Sequence, residues 1–272
     1  MIVFGLAILG IIFGSFINAL VWRVRQQESG QKGRELSVLK GHSMCPNCRH
    51  RLAAKDLVPV LSWLALRGRC RYCHQPISWQ YPAVELTTVA VFIVSYLFWP
   101  VDFSTAGQWL LFVTWLAAAV GLLALVVYDF RWMELPNRIL YPAFAAAAAG
   151  RLGYILFYSD DKSHEAWLWL LSLGVASGVF LLLFMVSQGR WIGYGDVRLG
   201  LVTGTLLATP AKSFVMIFLA SILGTVFVLP SLLAGKKSAN SRLPYGPFLI
   251  ISTIIVLLFG DSLINWYRIH LL

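Results

Sequence analysis

Charge is scarce in this chain: Asp, Glu, Lys and Arg together make up only 12% of its 272 residues. A soluble domain carries about twice that share, so most of the length is not built to face water. There is no H-E-x-x-H, which removes support for zinc-dependent proteolysis. There is no G-x-G-x-x-G after a strand, so no site for a dinucleotide or similar cofactor is legible. No internal repeat relates two halves, as a transporter would show. Cysteine is absent outside one segment, and the first apolar run, Met1 to Leu20, has no basic residue before it. A cleavable signal peptide carries a positive leading region. Here Arg23 and Arg25 follow the run instead, which reads as a retained first span with its N-terminus outside.

What is present is apolar. The chain is 58% hydrophobic and 14% aromatic, with a mean hydropathy of +0.73. Apolar runs near 20 residues recur, each long enough to cross a hydrocarbon core as a helix. The runs predict an all-α polytopic membrane protein with about eight transmembrane helices, near 1–22, 83–99, 109–127, 139–158, 167–187, 199–210, 211–233 and 248–267. Span six is short, and Thr209-Pro210 offers only a very tight turn to span seven. Three regions follow: a first helix at 1–22, a cytosolic metal-binding segment at 23–82 and a transmembrane core at 83–272.

The formal net charge of +10 is distributed by side. Residues 23–82 carry eleven Lys or Arg, and the loops around 128–138, 188–198 and 234–247 carry Arg131, Arg138, Arg190, Arg198, Lys236, Lys237 and Arg242. Lys162, Lys212 and Arg268 fall on the other side. The positive-inside rule places the first group in the cytosol, and the alternation of eight spans reproduces that assignment loop by loop. Attraction to anionic lipid headgroups explains these cations more simply than nucleic acid does. The expected partner is membrane lipid, with no nucleic acid.

All four cysteines lie in the first basic segment, as Cys45-Pro46-Asn47-Cys48 and Cys70-Arg71-Tyr72-Cys73, with 21 residues between the pairs. A two-residue gap lets both thiolates of a knuckle turn onto one ion, and two knuckles complete a tetrahedral shell suited to structural zinc. Two disulfides are the bland alternative, disfavoured in a reducing cytosol. A redox C-x-x-C is another, although no βαβ pattern accompanies it. His42, His50 and His74 stand nearby as substitute ligands. Between the knuckles, Leu57 to Gly68 is apolar but too short to span. It reads as a short helix lying against the membrane surface or against the knuckles.

Two acids end long apolar runs. Asp129 precedes Phe130-Arg131-Trp132-Met133-Glu134-Leu135-Pro136-Asn137, and Asp196 closes Gly193-Tyr194-Gly195-Asp196. A carboxylate at a bilayer boundary is costly to desolvate. Two at matching depth can share a proton and activate water, whereas the plain alternative is that each marks a helix end. Gly193 and Gly195 permit close backbone approach, and Leu135-Pro136 stops the preceding helix. Arg151 lies within span four, read either as a snorkelling cation or as one half of an ion pair. Ala145 to Gly150 read as a close helix-packing face.

These residues resemble the bacterial type IV prepilin peptidases, also called leader peptidase/N-methyltransferases, of the GxGD aspartic-protease group. The resemblance rests on Gly14-Ser15-Phe16-Ile17-Asn18, the two Cys-x-x-Cys pairs, Pro59-Val60-Leu61-Ser62-Trp63, Arg67-Gly68, and Tyr81-Pro82-x-Val84-Glu85. It continues through Asp129 with Leu135-Pro136, Gly193-x-Gly195-Asp196 and Pro244-Tyr245-Gly246-Pro247-Phe248. It implies Asp129 and Asp196 as the catalytic pair and zinc on Cys45, Cys48, Cys70 and Cys73. It also implies prepilin and pseudopilin precursors as substrates, S-adenosylmethionine as methyl donor, and a place in the bacterial inner membrane. Three departures stand out. Asn137 replaces a common acid, Arg198 a common lysine, and Glu134 adds a carboxylate. A proton-coupled transporter using the paired aspartates is the competing reading, followed by a non-catalytic assembly factor.

Overall fold

The computed structural model describes residues 1–38, 41–234 and 244–271. Lys40, Lys236, Lys237 and Arg242, which enter the charge asymmetry, lie outside the described residues. The described chain is helical, with two isolated antiparallel β-bridges. Contacts group it into two compact units, Met1–Leu97 and Phe98–Leu272.

In the first unit α1 (Ile2–Glu28) packs along α3 (Gln80–Leu97). Helix α1 continues past its apolar run because Arg23 is buried and satisfied, donating to the carbonyls of Ser37 and Val38 at 3.3 and 3.1 Å. Gln27 donates to the Leu36 carbonyl at 2.8 Å. Those bonds tie the turn at Arg34–Leu36 to the helix. The segment between α1 and α3 holds a further 3-10 turn at Ala54–Asp56 and the five-residue helix α2 (Leu61–Ala65).

The second unit holds α4 (Ala106–Trp132), α5 (Asn137–Phe157), α6 (Lys162–Ser187), α7 (Tyr194–Leu207), α8 (Pro210–Leu233) and α9 (Gly246–Leu271). Caps set the boundaries. Thr105 accepts from the Gln108 amide at the start of α4, and Asp161 accepts from the His164 amide at 3.0 Å at the start of α6. Helix α4 stops at Met133, in the left-handed region at φ 54, and Pro136 opens α5. Its core follows one face of α4, where Trp115, Ala118, Leu122, Leu125 and Tyr128 are fully buried. The small-residue face of α5 packs on α4 through Ala143, Ala147 and Gly150, with Gly150 against Thr114. Arg151 is paired: it donates to Glu165 at the start of α6 and lies over the Tyr154 ring at 5.7 Å. A second ion pair, Lys212–Asp261 at 2.7 Å, joins α8 and α9.

Seven of these helices are long and apolar enough to cross a membrane. Besides the five-residue α2, the exception is α7, where 14 residues rise only about 21 Å against a hydrocarbon core of about 30 Å. Its environment explains it. Helix α7 touches α5, α6, α8 and α9, and buries Val197, Leu199, Gly200, Val202, Thr203, Gly204, Thr205 and Leu207. A helix enclosed by protein need not match the lipid thickness or exclude polar residues. Side chains of α6 cap its backbone: Ser172 and Ser177 donate to the carbonyls of Gly204 and Val197 at 2.7 and 2.9 Å. The turn into α8 is Ala208-Thr209 alone, with Ala208 left-handed at φ 57.

Candidate functional sites

In the second unit, three helix ends meet. Asp129 lies in the last turn of α4, Asp196 in the first turn of α7, and Gly246 opens α9. Leu135, in the α4–α5 loop, sits between them. A Cβ added to Gly195 would lie 3.2 Å from the Leu135 side chain, and one added to Gly246 would lie 3.4 Å from it. Asp129 and Asp196 are near enough to interact electrostatically. Each carboxylate accepts a glycine backbone N–H, Asp129 from Gly246 and Asp196 from Gly193. Asp129 is only 5% exposed, whereas Asp196 is half-buried. The arrangement is a carboxylate pair at facing helix ends, with a glycine backbone amide beside each acid.

Gly246 matters through its lack of a side chain. A Cβ there would stand 2.7 Å from Asp129 Oδ2, closer than real contacts allow. Tyr245 beside it feels the charge of Asp196, shares a 3.3 Å hydrogen bond with Ser221 on α8, and meets the Phe180 ring edge-on. In the sequence, Pro244-Tyr245-Gly246-Pro247-Phe248 carries the resemblance without a role of its own. Its signal was the proline-flanked glycine before an apolar run. Two of the departures also find each other: Arg198 donates to Asn137 Oδ1 across 61 positions and stacks on Tyr194 at 5.3 Å. Glu134 is exposed on the same loop as Asn137.

The first unit holds the second site. The four cysteine sulfurs lie within 4.8 Å of one another, and Cys45 Sγ is 3.8 Å from Cys73 Sγ. All four are free, so no disulfide forms. A tetrahedral ion with metal–sulfur bonds of about 2.3 Å needs sulfurs about 3.8 Å apart, so the set fits such an ion. Among the described residues the group consists of the four cysteines alone. His50 is turned away, with its ring 3.7 Å from that of Tyr72.

The knuckles are copies of one another, offset by 25 positions. In the first, Cys45 N–H donates to His50 O, Arg49 N–H to Cys45 O and Leu52 N–H to Ser43 O, at 3.0, 2.9 and 2.9 Å. In the second, Cys70 N–H donates to Gln75 O, His74 N–H to Cys70 O and Ile77 N–H to Gly68 O, at 2.9, 3.0 and 2.7 Å. Arg49 and His74 are both left-handed, at φ 57 and 58. Asp56 braces the pair, accepting from Arg71 Nε at 2.7 Å, Tyr72 Oη at 3.0 Å and the Ala53 amide at 3.2 Å. Burial alone would raise its pKa, but those donors hold it below the usual carboxylate range.

The thiols cannot all ionise in such a space. Burial opposes the Cys70 thiolate, yet the amides of Cys73 and Tyr72 and the neighbouring thiols bring Cys70 down to about 7. Cys73 is favoured by the Gln75 amide, but burial and the three other sulfurs push it up to about 12. A dication is the charge that lets four sulfurs ionise together.

Other motif residues of this unit bind its parts. A Cβ on Gly14 would stand 2.5 Å from Glu85 Cα, so α1 and α3 touch there. Asn18 donates to the Tyr81 carbonyl at 3.1 Å. Buried Glu85 accepts the Val60 N–H at 2.7 Å and holds Val60 at φ 60 and ψ −53. Leu61 N–H donates back to Pro59 O at 2.6 Å, a γ-turn that a β-branched residue adopts only under constraint.

Comparison with known proteins covers both units. The model of the bacterial peptidase A24 N-terminal domain matches residues 8–99, and that of the type IV leader peptidase family matches residues 110–229. A prepilin leader peptidase/N-methyltransferase from Stutzerimonas stutzeri is 30% identical over 278 residues, covering 96% of this chain and 91% of that protein. One of the same name from Bacillus subtilis is 30% identical over 264 residues, covering 96% of each. A type 4 prepilin-like proteins leader peptide-processing enzyme from Escherichia coli is 29% identical over 257 residues, covering 90% of this chain and 89% of that one. No solved structure matches the chain.

Proposed function

Because the chain belongs to the type IV leader peptidase family, we propose that Asp129 and Asp196 are the catalytic pair of its peptidase. The chain is an enzyme of the inner membrane that processes prepilins, removing the leader and methylating the amino end so exposed. The observation that carries the site assignment is the meeting of the two carboxylates, each held by a glycine N–H, at the ends of α4 and α7.

The chemistry follows from two acids sharing one proton. The ionised aspartate takes a proton from water as the water oxygen bonds to the leader's scissile carbonyl carbon. The protonated partner donates to the carbonyl oxygen. Collapse of the tetrahedral species breaks the C–N bond, and a carboxyl proton goes to the leaving amine. Both protons belong to the pair, which titrates as a unit. Tyr245, which shares a hydrogen bond with Ser221, stands within reach of the Asp196 charge.

The metal is zinc in this proposal, held by Cys45, Cys48, Cys70 and Cys73, and it supplies structure rather than reactivity because four thiolates leave no open position. S-adenosylmethionine is the methyl donor, and the described residues assign no site to it. Co-expression with a candidate prepilin and mass measurement of the pilin's N-terminus tests the reading. The expected product lacks the leader and is heavier by one methyl group. An unprocessed precursor beside correctly inserted enzyme refutes it.

The topology is proposed from charge. Residues 23–82 and the aspartates face the cytosol, where the basic leader lies, and the loop 159–165 faces outward. Reporter fusions at Gln31 and Ser163 should report opposite compartments. The same compartment for both would end the eight-crossing arrangement.

A further inference from the structure

The apolar segment between the knuckles exposes more than it buries. Leu57, Val58, Leu61 and Leu64 are all on the surface, Leu61 at 64% and Leu64 at 58%. Such a cluster on a polar domain marks a contact surface. Helix α2 is firmly seated nonetheless. Trp63 donates Nε1–H to the Ile77 carbonyl at 3.1 Å and lies over Gly68, where an added Cβ would be 3.0 Å from the ring. Trp63 therefore fastens α2 to the second knuckle, while Leu61 and Leu64 are left outward. At its C-terminal end, α2 runs into a cleft of about 480 Å³ lined by Leu66, Arg67, Arg69, Cys70, Arg71 and His74. Arg71 is committed to Asp56, and Arg67 and Arg69 are exposed at the rim. Trp79, 74% exposed, immediately precedes α3.

We propose that this face docks on the bilayer. Leu61 and Leu64 enter the boundary between headgroups and acyl chains, and Arg67 and Arg69 take the phosphate of an anionic phospholipid at the cleft. Apolar side chains beside cations are the pattern of an interfacial element. Helices α1 and α3 of the same unit are long and apolar enough to span, and Trp79 at the start of α3 is a residue type that settles at headgroup level. The arginine rim repels a cationic partner such as a basic leader, which argues against a substrate groove. Bound lipid anions would instead neutralise the rim that such a leader otherwise meets. The proposal goes beyond the peptidase reading and does not depend on it.

The test reads lipid contact and not cleavage. Full-length protein carrying benzoylphenylalanine at Leu64 is placed in phosphatidylcholine nanodiscs, with or without phosphatidylglycerol, and irradiated. The expected result is a lipid adduct, about ten-fold more abundant with phosphatidylglycerol, the gain being lost in Arg67→Gln/Arg69→Gln. Unchanged metal content shows that the knuckles survive in that variant, and the comparison of the two discs needs no variant. No lipid adduct in either disc overturns the docking, as does an adduct to a co-reconstituted prepilin in its place. Equal yields in the two discs overturn the headgroup site. Protection of Arg67 and Arg69 from phenylglyoxal by inorganic phosphate as complete as that by phosphatidylglycerol also overturns it, since any free anion would then be the ligand.

Discussion

Asp129→Asn and Asp196→Asn should each lower prepilin cleavage by more than about a thousandfold, and the double variant should be scarcely worse, because members of one catalytic unit are not additive. Asparagine keeps the shape and the glycine N–H contact of either side chain but cannot exchange the proton. Gly246→Ala should approach the same loss without touching a titratable group, since its Cβ would stand 2.7 Å from Asp129 Oδ2. All three should insert and keep their metal, and methylation of an already cleaved pilin should persist, because methyl transfer requires no activated water. Initial rates on purified precursor measure the effect. Appreciable cleavage by either asparagine variant, at normal expression, would move the weight to a transporter or an assembly factor.

The other large effect is loss of metal. Elemental analysis should find about one zinc per chain, and Cys45→Ser or Cys70→Ser should retain less than about a tenth of it. The reason lies in the core. Among the described residues from Ser29 to Trp79, the buried apolar side chains are Leu36, Cys45 and Cys70. A segment with so little to bury does not hold its shape without a staple. The two knuckles share one hydrogen-bond pattern, so the two substitutions should do equal damage. Limited proteolysis should then cut between α1 and α3 while leaving the second unit intact. Metal-free parent protein purified under reducing conditions would refute the assignment.

Seven long helices were legible because hydropathy reports them directly, and α7 was legible as a short eighth span. The reason for its shortness was not. Enclosure by α5, α6, α8 and α9 is a property of packing, and Thr203 or Gly204 in a sequence does not say what surrounds it. The cysteine spacing announced a metal site, but the 25-position repeat behind it lives in backbone hydrogen bonds, with Arg49 matched to His74 and little side-chain likeness to show it. The aspartates stood out because acids at membrane depth are rare. What holds them did not, because a backbone N–H of Gly246 leaves no mark in a residue pattern. Partners far apart in sequence stayed hidden for the same reason, as with Arg198 and Asn137, or Arg151 and Glu165.

The enclosed α7 also bears on the topology proposed from charge. Among the described residues seven helices are long and apolar enough to cross a membrane, and an odd number would reverse α8 and α9 relative to that proposal. That topology counts α7 as a crossing. It also lets the first residue of α9 stand at the end of α4, where Gly246 reaches Asp129. In that proposal the least membrane-like helix sets the orientation of everything after it. Lengthening it toward an ordinary lipid-facing span would bring no gain in anchoring, since its neighbours and not the lipid fix its depth.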